Sequence, residues 1–154
     1  MVSRRPTVSE HNAIGVYLSS IGAHDLAISE LEKARRLAPL SPVIHFNLGA
    51  AYFGKGDLDQ SLAALRTALD LNPLHLNAHL LLGLVLEAKG SHEEGRRELK
   101  WVVEQDPSSR SGKEARDALV VLESKISARQ REIFNQHHDP DGRCDPQGPG
   151  DAAE

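Results

Sequence analysis

Apolar residues recur along the first two-thirds of this chain at three- and four-residue spacing, interrupted at regular points by glycine and proline. Midway, Phe46, Leu48, Gly49, Ala51 and Tyr52 precede Gly56, and Leu58, Leu62, Leu65, Ala68, Leu69 and Leu71 follow it. Such spacing lines one face of a helix, so each run predicts an amphipathic helix of about 13 residues. The punctuation has a period. Gly15, Gly49 and Gly83 are evenly spaced, and Gly22, Gly56 and Gly90 keep the same interval. It also separates Pro39, Pro73 and Pro107, then His11, His45 and His79, then Leu31, Leu65 and Leu99. Five series at one period define an internal repeat built of paired helices.

The ends of these helices are marked as well. Thr7 with Glu10, Asp57 with Gln60 and Ser91 with Glu94 read as capping boxes, in which two side chains satisfy amides left free by the first turn. Ser41-Pro42 offers an N-cap followed by proline at the first helical position. Gly22, Gly56 and Gly90 permit the tight turn inside each pair, and each proline stops the second helix. Small residues at Gly15 and Ala27, Gly49 and Ser61, and Gly83 and Gly95 fall where paired helices should come closest. Leu31, Leu65 and Leu99 are expected to fill the space between successive copies. Gly95 inside a helix predicts a weaker third copy, by about 1 kcal/mol relative to alanine.

This pattern resembles the tetratricopeptide repeat, a 34-residue helix–turn–helix unit. The middle copy carries it best, with His45-x2-Leu48-Gly49-x2-Tyr52, Ser61-x3-Leu65, Ala68 and Pro73. The flanking copies read His11-x2-Ile14-Gly15-x2-Leu18 with Ala27-x3-Leu31, Ala34 and Pro39, and His79-x2-Leu82-Gly83-x2-Leu86 with Gly95-x3-Leu99, Val102 and Pro107. Histidine stands where the family often has tryptophan, and leucine replaces an aromatic residue in the outer copies. The resemblance implies an all-α helix-turn-helix repeat solenoid of three repeats, at 8–41, 42–75 and 76–109, behind an N-terminal extension at 1–7. Stability in such an array is a sum of neighbour interfaces, so its ends need caps.

Residues 110–135 are read as the capping helix. Ala115, Leu119, Leu122 and Ile126 form one apolar stripe, with Ile133 and Phe134 near the far end. Trp101 is expected to lie partly buried beneath it. At 1.5 Å per residue this helix is about 37 Å long and outreaches a repeat helix, so its second half is expected to project. A structural subunit that self-assembles through Trp101 and this projecting half, with the groove secondary, is the alternative reading of function. Residues 136–154 hold five acidic residues against one arginine, with three prolines and three glycines. They predict a disordered acidic tail.

Composition narrows the function. A chain of 154 residues is one modest domain. Its formal net charge of −4 opposes general nucleic-acid binding. One cysteine excludes an internal disulfide framework and fits a reducing compartment. No apolar run approaches the length of a membrane span, and the arginines of MVSRRPTVSE lead into no apolar stretch of a secretory signal. A cytoplasmic protein is expected. Lys33, Arg35, Arg36, Arg96, Arg97 and Lys100 are interspersed with Glu30, Glu32, Glu93, Glu94 and Glu98, as on a solvated helix face.

Catalytic and metal chemistry find no constellation. The sequence lacks a nucleophile elbow, a phosphate loop, an H-E-x-x-H pair and a Cys-x-x-Cys pair. His11, His45 and His79 sit on successive packed helices about 8–10 Å apart, too far to share a zinc ion. They read as packing residues. His75 with His79 supplies only two ligands, and His137, His138, Asp139 and Cys144 have no imposed geometry. No enzyme activity, metal or cofactor is expected.

The resemblance implies a concave groove lined by the first helix of each repeat, receiving a peptide or helix of another protein. Groove places carried over to this chain are Ser9, Asn12, Val16, Ser19 and Ser20, then Val43, Phe46, Ala50, Phe53 and Gly54, then Asn77, Leu80, Leu84, Glu87 and Ala88. With Asn47, the candidate partner-binding set is Asn12, Val16, Phe46, Asn47, Ala50, Phe53, Asn77, Leu80, Leu84 and Glu87. It grades from polar to apolar, with Phe46, Phe53, Leu80 and Leu84 as candidate anchors. Of the basic clamp that some members use for acidic C-termini of heat-shock chaperones, only Asn47 is present, with Asn12, Val16, Asn77 and Leu81 at the other clamp places. The expected function is a non-catalytic adaptor or scaffold. A small secretion-chaperone-like protein is a further alternative, resting on repeat number and size.

Overall fold

The computed structural model describes residues 3–137. They form seven helices, and no strand occurs among the described residues: α1 Val8–Ser20, α2 His24–Leu37, α3 Pro42–Lys55, α4 Leu58–Leu71, α5 Leu76–Ala88, α6 His92–Gln105 and α7 Arg110–His137. Successive pairs α1–α2, α3–α4 and α5–α6 are three helix–turn–helix units, and α7 lies against α6 and α5. The fold is an all-α repeat solenoid with a C-terminal helix.

Local chemistry places the boundaries. Thr7 Oγ1 accepts from Glu10 N, while Glu10 returns a carboxylate to Thr7 N at 2.7 Å, a complete capping box. Asp57 accepts from Gln60 N. Ser91 does not cap with its side chain. Ser41 also makes no side-chain cap, and Pro42 begins α3. His75 does what its sequence did not announce: its Nδ1 accepts from Ala78 N and caps α5. Gly22, Gly56 and Gly90 all have positive φ, the left-handed turn that a side chain would strain.

Within each pair the helices meet glycine to backbone. A Cβ on Gly49 would lie 2.7 Å from Leu65 Cγ, and Ser61 Oγ donates to Gly49 O at 2.7 Å. Gly95 is required rather than merely tolerated, since a Cβ there would come within 2.9 Å of Gly83 O. Leu31, Leu65 and Leu99 fill the hollow over Gly15, Gly49 and Gly83 of their own repeat. The core then continues across repeats. Ala27, Leu31 and Ala34 pack with Ile44, Leu48 and Ala51, and Leu62 and Leu65 pack with Ala78, Leu82 and Val85.

The recurring histidines tie helices together. His11 Nδ1 lies 2.7 Å from Glu30 Oε2 and His79 Nδ1 2.6 Å from Glu98 Oε2, each 19 residues on. His45, facing Ala64 at that offset, donates instead to Pro39 O at 2.7 Å. The His79 ring stacks on half-buried Trp101 at 3.9 Å.

The stripe on α7 packs as its spacing predicts. Ala115 and Leu122 are fully buried with Leu80, Leu99 and Val102, and Leu119 and Ile126 are partly covered. Beyond Ile126 every described residue is exposed, Ile133 included. The helix continues past the expected end at 135, through Gln136 and His137. The rest of the proposed acidic tail, 138–154, lies outside the described residues, as do His138, Asp139 and Cys144.

Candidate functional site

The first helices α1, α3 and α5 line one side of the array, and the candidate residues divide along it. Phe46, Ala50, Asn77, Leu80 and Leu84 meet at a single cavity of about 500 Å³ between α3 and α5. Leu81 joins them, and α7 closes the far wall with Arg110, Ser111 and Glu114. Ser111 Oγ donates to Asn77 Oδ1 at 2.5 Å, holding the start of α7 against α5. Phe46 packs its ring 4.9 Å from the His75 imidazole. Burial holds the His75 ring below the ordinary histidine pKa, because desolvation disfavours its charged form. It therefore stacks as a neutral group that also caps α5.

The other candidates stand apart from this cavity. Asn47 Nδ2 donates to Asn12 Oδ1 at 2.8 Å, linking α3 to α1. Val16 is exposed on α1, and Phe53 packs partly against the core of Leu62 and Leu65. Glu87 is paired with Lys125 of α7. Leu80 reaches the cavity wall but is only 7% exposed, being shared with the core under α7. It therefore contributes shape more than accessible surface.

The sequence leaves open whether the C-terminal helix covers the groove, and the candidate set did not include Arg110, Ser111 or Glu114. The signal was available in the period: Arg110 and Ser111 fall one repeat after Leu76 and Asn77, so α7 begins as the first helix of a fourth copy would. The cavity is apolar on the α3 and α5 side, with Asn77 and Ser111 at one edge. Beside them Arg110 pairs with Glu114 at 2.8 Å, both largely exposed, which raises the arginine further above its ordinary range and leaves the edge locally neutral.

Other chemistry is committed elsewhere. Lys33 pairs with Glu30, Arg35 with Glu32 and Arg96 with Glu93, each at a three-residue offset along the outer helices. His79 is held by Glu98 and Pro73 O, and His137 Nδ1 bonds Ile133 O. Among the described residues no group of three or more His, Cys, Asp or Glu could hold a metal ion. No described helix is long and apolar enough to cross a membrane.

Comparison with known proteins agrees with this architecture. Residues 46–110 match the family model of the tetratricopeptide repeat. A search of curated proteins returns no match. The first TPR domain of Spaghetti (RPAP3), solved with the HSP90 peptide SRMEEVD, is similar over 79% of this chain and 94% of its own, at TM-score 0.73 and 22% identity. The Sgt2 TPR domain from Aspergillus fumigatus covers 96% of this chain and 94% of its own, at TM-score 0.75 and 19% identity. The Yersinia enterocolitica type III secretion translocator chaperone SycD covers 78% and 86%, at TM-score 0.71 and 13% identity. At these identities the likeness is one of fold.

Proposed function

We propose that this chain, a tetratricopeptide-repeat array, is a non-catalytic cytoplasmic adaptor that holds a segment of another protein, extended or helical, on its concave side. One observation carries the reading: the cavity of about 500 Å³ bounded by Phe46, Ala50, Leu81 and Leu84, with Asn77 and Ser111 at its edge. Apolar walls with a few placed polar groups are the composition of a recognition pocket, in which burial supplies affinity and the polar groups fix orientation.

The edge chemistry narrows the occupant. Arg110 is already paired with Glu114, and Asn47, the one clamp residue present, is bonded to Asn12. An acidic peptide terminus would meet no free cluster of cations there. An apolar side chain entering between Phe46 and Leu84 would be covered on both flanks, while Asn77 could meet the partner backbone. The HSP90 peptide belongs to the Spaghetti domain, and it supports here only the use of such a fold for holding peptides.

The experiment is a capture of partners by the full chain, beside a Phe46→Glu/Leu84→Glu variant of matched helicity. The adaptor reading expects proteins retained by the first and lost by the second. Retention that ignores the double substitution would move the site off this groove.

A further inference from the structure

The first repeat leaves apolar and open what the other two cover. At the repeat period Ile14 corresponds to Leu48 and Leu82, and Tyr17 to Ala51 and Val85. Leu48 is 2% exposed and Leu82 6%, while Ala51 and Val85 are wholly covered. They are buried because the repeat before them lies against them, Leu31 and Ala34 on one pair and Leu62 and Leu65 on the other. Ile14 is 44% exposed and Tyr17 63%.

A third position agrees. Ile21 corresponds to Lys55 and Lys89, whose ammonium groups reach back to Asp25 and Asp59 of the preceding repeat. In the first repeat that place holds an isoleucine, 58% exposed. Ile14, Tyr17 and Ile21 follow one another at three- and four-residue steps, forming one stripe along α1 and its C-cap. A repeat face left open to water needs a polar surface. This one replaces alanine by tyrosine and lysine by isoleucine, the opposite of what solubility asks.

Beyond the groove reading, we propose that this face pairs with a second copy of the chain, α1 against α1 in antiparallel sense, about a two-fold axis near Ile14. Ile14 is the middle residue of Val8–Ser20, so antiparallel pairing sets the two Ile14 side chains together. Each Tyr17 then lies opposite His11 and Glu10 of the other helix, beside exposed Ala13. An isologous contact of this kind closes on itself as a dimer.

The charges complement each other in that arrangement. Arg5 sits just before α1 and forms no ion pair among the described residues. The last turn of α1 carries no basic residue, and Asp25 beyond it keeps its carboxylate 80% exposed even while touching Lys55. Antiparallel packing brings Arg5 of one copy to the carbonyl end of the other α1 and to its Asp25. There a cation offsets the negative pole of the helix.

Sedimentation of the full chain across a hundredfold range of concentration tests this. The mass should rise from 16.8 kDa to twice that value and stop. Ile14→Glu/Tyr17→Glu should stay monomeric and melt as the parent does at concentrations where the parent is itself a monomer, since both side chains stand outside the core. Arg5→Glu should raise the dissociation constant severalfold at low salt and less at high salt. Val121→Glu, on the exposed side of α7, should leave the dimer intact. A monomer throughout would overturn the proposal, whether or not a foreign helix binds the face. Growth past the dimer, or a dimer that survives Ile14→Glu/Tyr17→Glu, would overturn it equally.

Discussion

Ser111 donates to Asn77 across the seam between α7 and α5, and the two residues stand one repeat apart in sequence. That bond fixes the role of α7. It continues the array in register as a fourth first helix, buries Ala115 and Leu122 on the third repeat, and forms a wall of the groove. The cap and a wall of the proposed site are therefore one element.

The cap should matter to stability only along its first half. Leu122 is fully buried. Leu122→Ala should cost about 2–5 kcal/mol, the usual range for a cavity left in a core. Ile133 is half exposed, so Ile133→Ala should move stability by only a small fraction of that. Urea unfolding of the two variants checks the contrast, and equal losses would contradict it.

Gly95→Ala sets local preference against packing. Alanine gains about 1 kcal/mol of helix propensity over glycine. Its Cβ, however, would lie 2.9 Å from Gly83 O and 3.3 Å from Glu87 N, both backbone atoms with little freedom to yield. The expected sign is destabilising. Gly49→Leu should be worse, since even its Cβ would meet Leu65 Cγ at 2.7 Å. Overpacking of that kind typically costs about 1–3 kcal/mol, and this substitution should lose at least as much. A melting midpoint raised by Gly95→Ala would show that α5 and α6 are not pinned at this point.

Acid should loosen the first repeat through Glu30. Its carboxyl is held below the ordinary value of 4.5, first by the hydrogen bond from Lys33 and then by that of His11. A carboxyl depressed in the folded state contributes stability that is present above its ordinary value and is lost as pH falls through the folded value. Glu30→Gln should therefore unfold with a shallower dependence on pH below about 4.5 than the parent chain. Urea midpoints taken through that window read the difference, and parallel curves would show that Glu30 contributes nothing of the kind.

How far the sequence carries follows from which forces repeat. The shared period exposes helix count, turn glycines and terminal prolines, because each copy solves the same packing problem. The resemblance to the tetratricopeptide repeat, not the period, put Phe46, Ala50, Asn77 and Leu84 on one groove, and all four line the same cavity. What escaped involves two elements at once. The need for Gly95 lies in the backbone of α5, which no propensity scale of α6 contains. The engagement of Glu87 depends on Lys125, 38 residues away. Leu80 was legible as a groove residue but not as one shared with the core, since the sequence leaves open whether the C-terminal helix covers the groove.

The adaptor role rests on the groove, and the affinity of a captured partner segment probes that groove most directly. Titration calorimetry against the full chain, Phe46→Ala and Leu84→Ala should show each truncation costing about 2 kcal/mol, the scale of a buried anchor. That is roughly a thirtyfold loss of affinity. The binding should change little between low and high salt, because the contact is apolar. Binding that collapses in salt and ignores both truncations would contradict the groove and place the site on charged surface away from it.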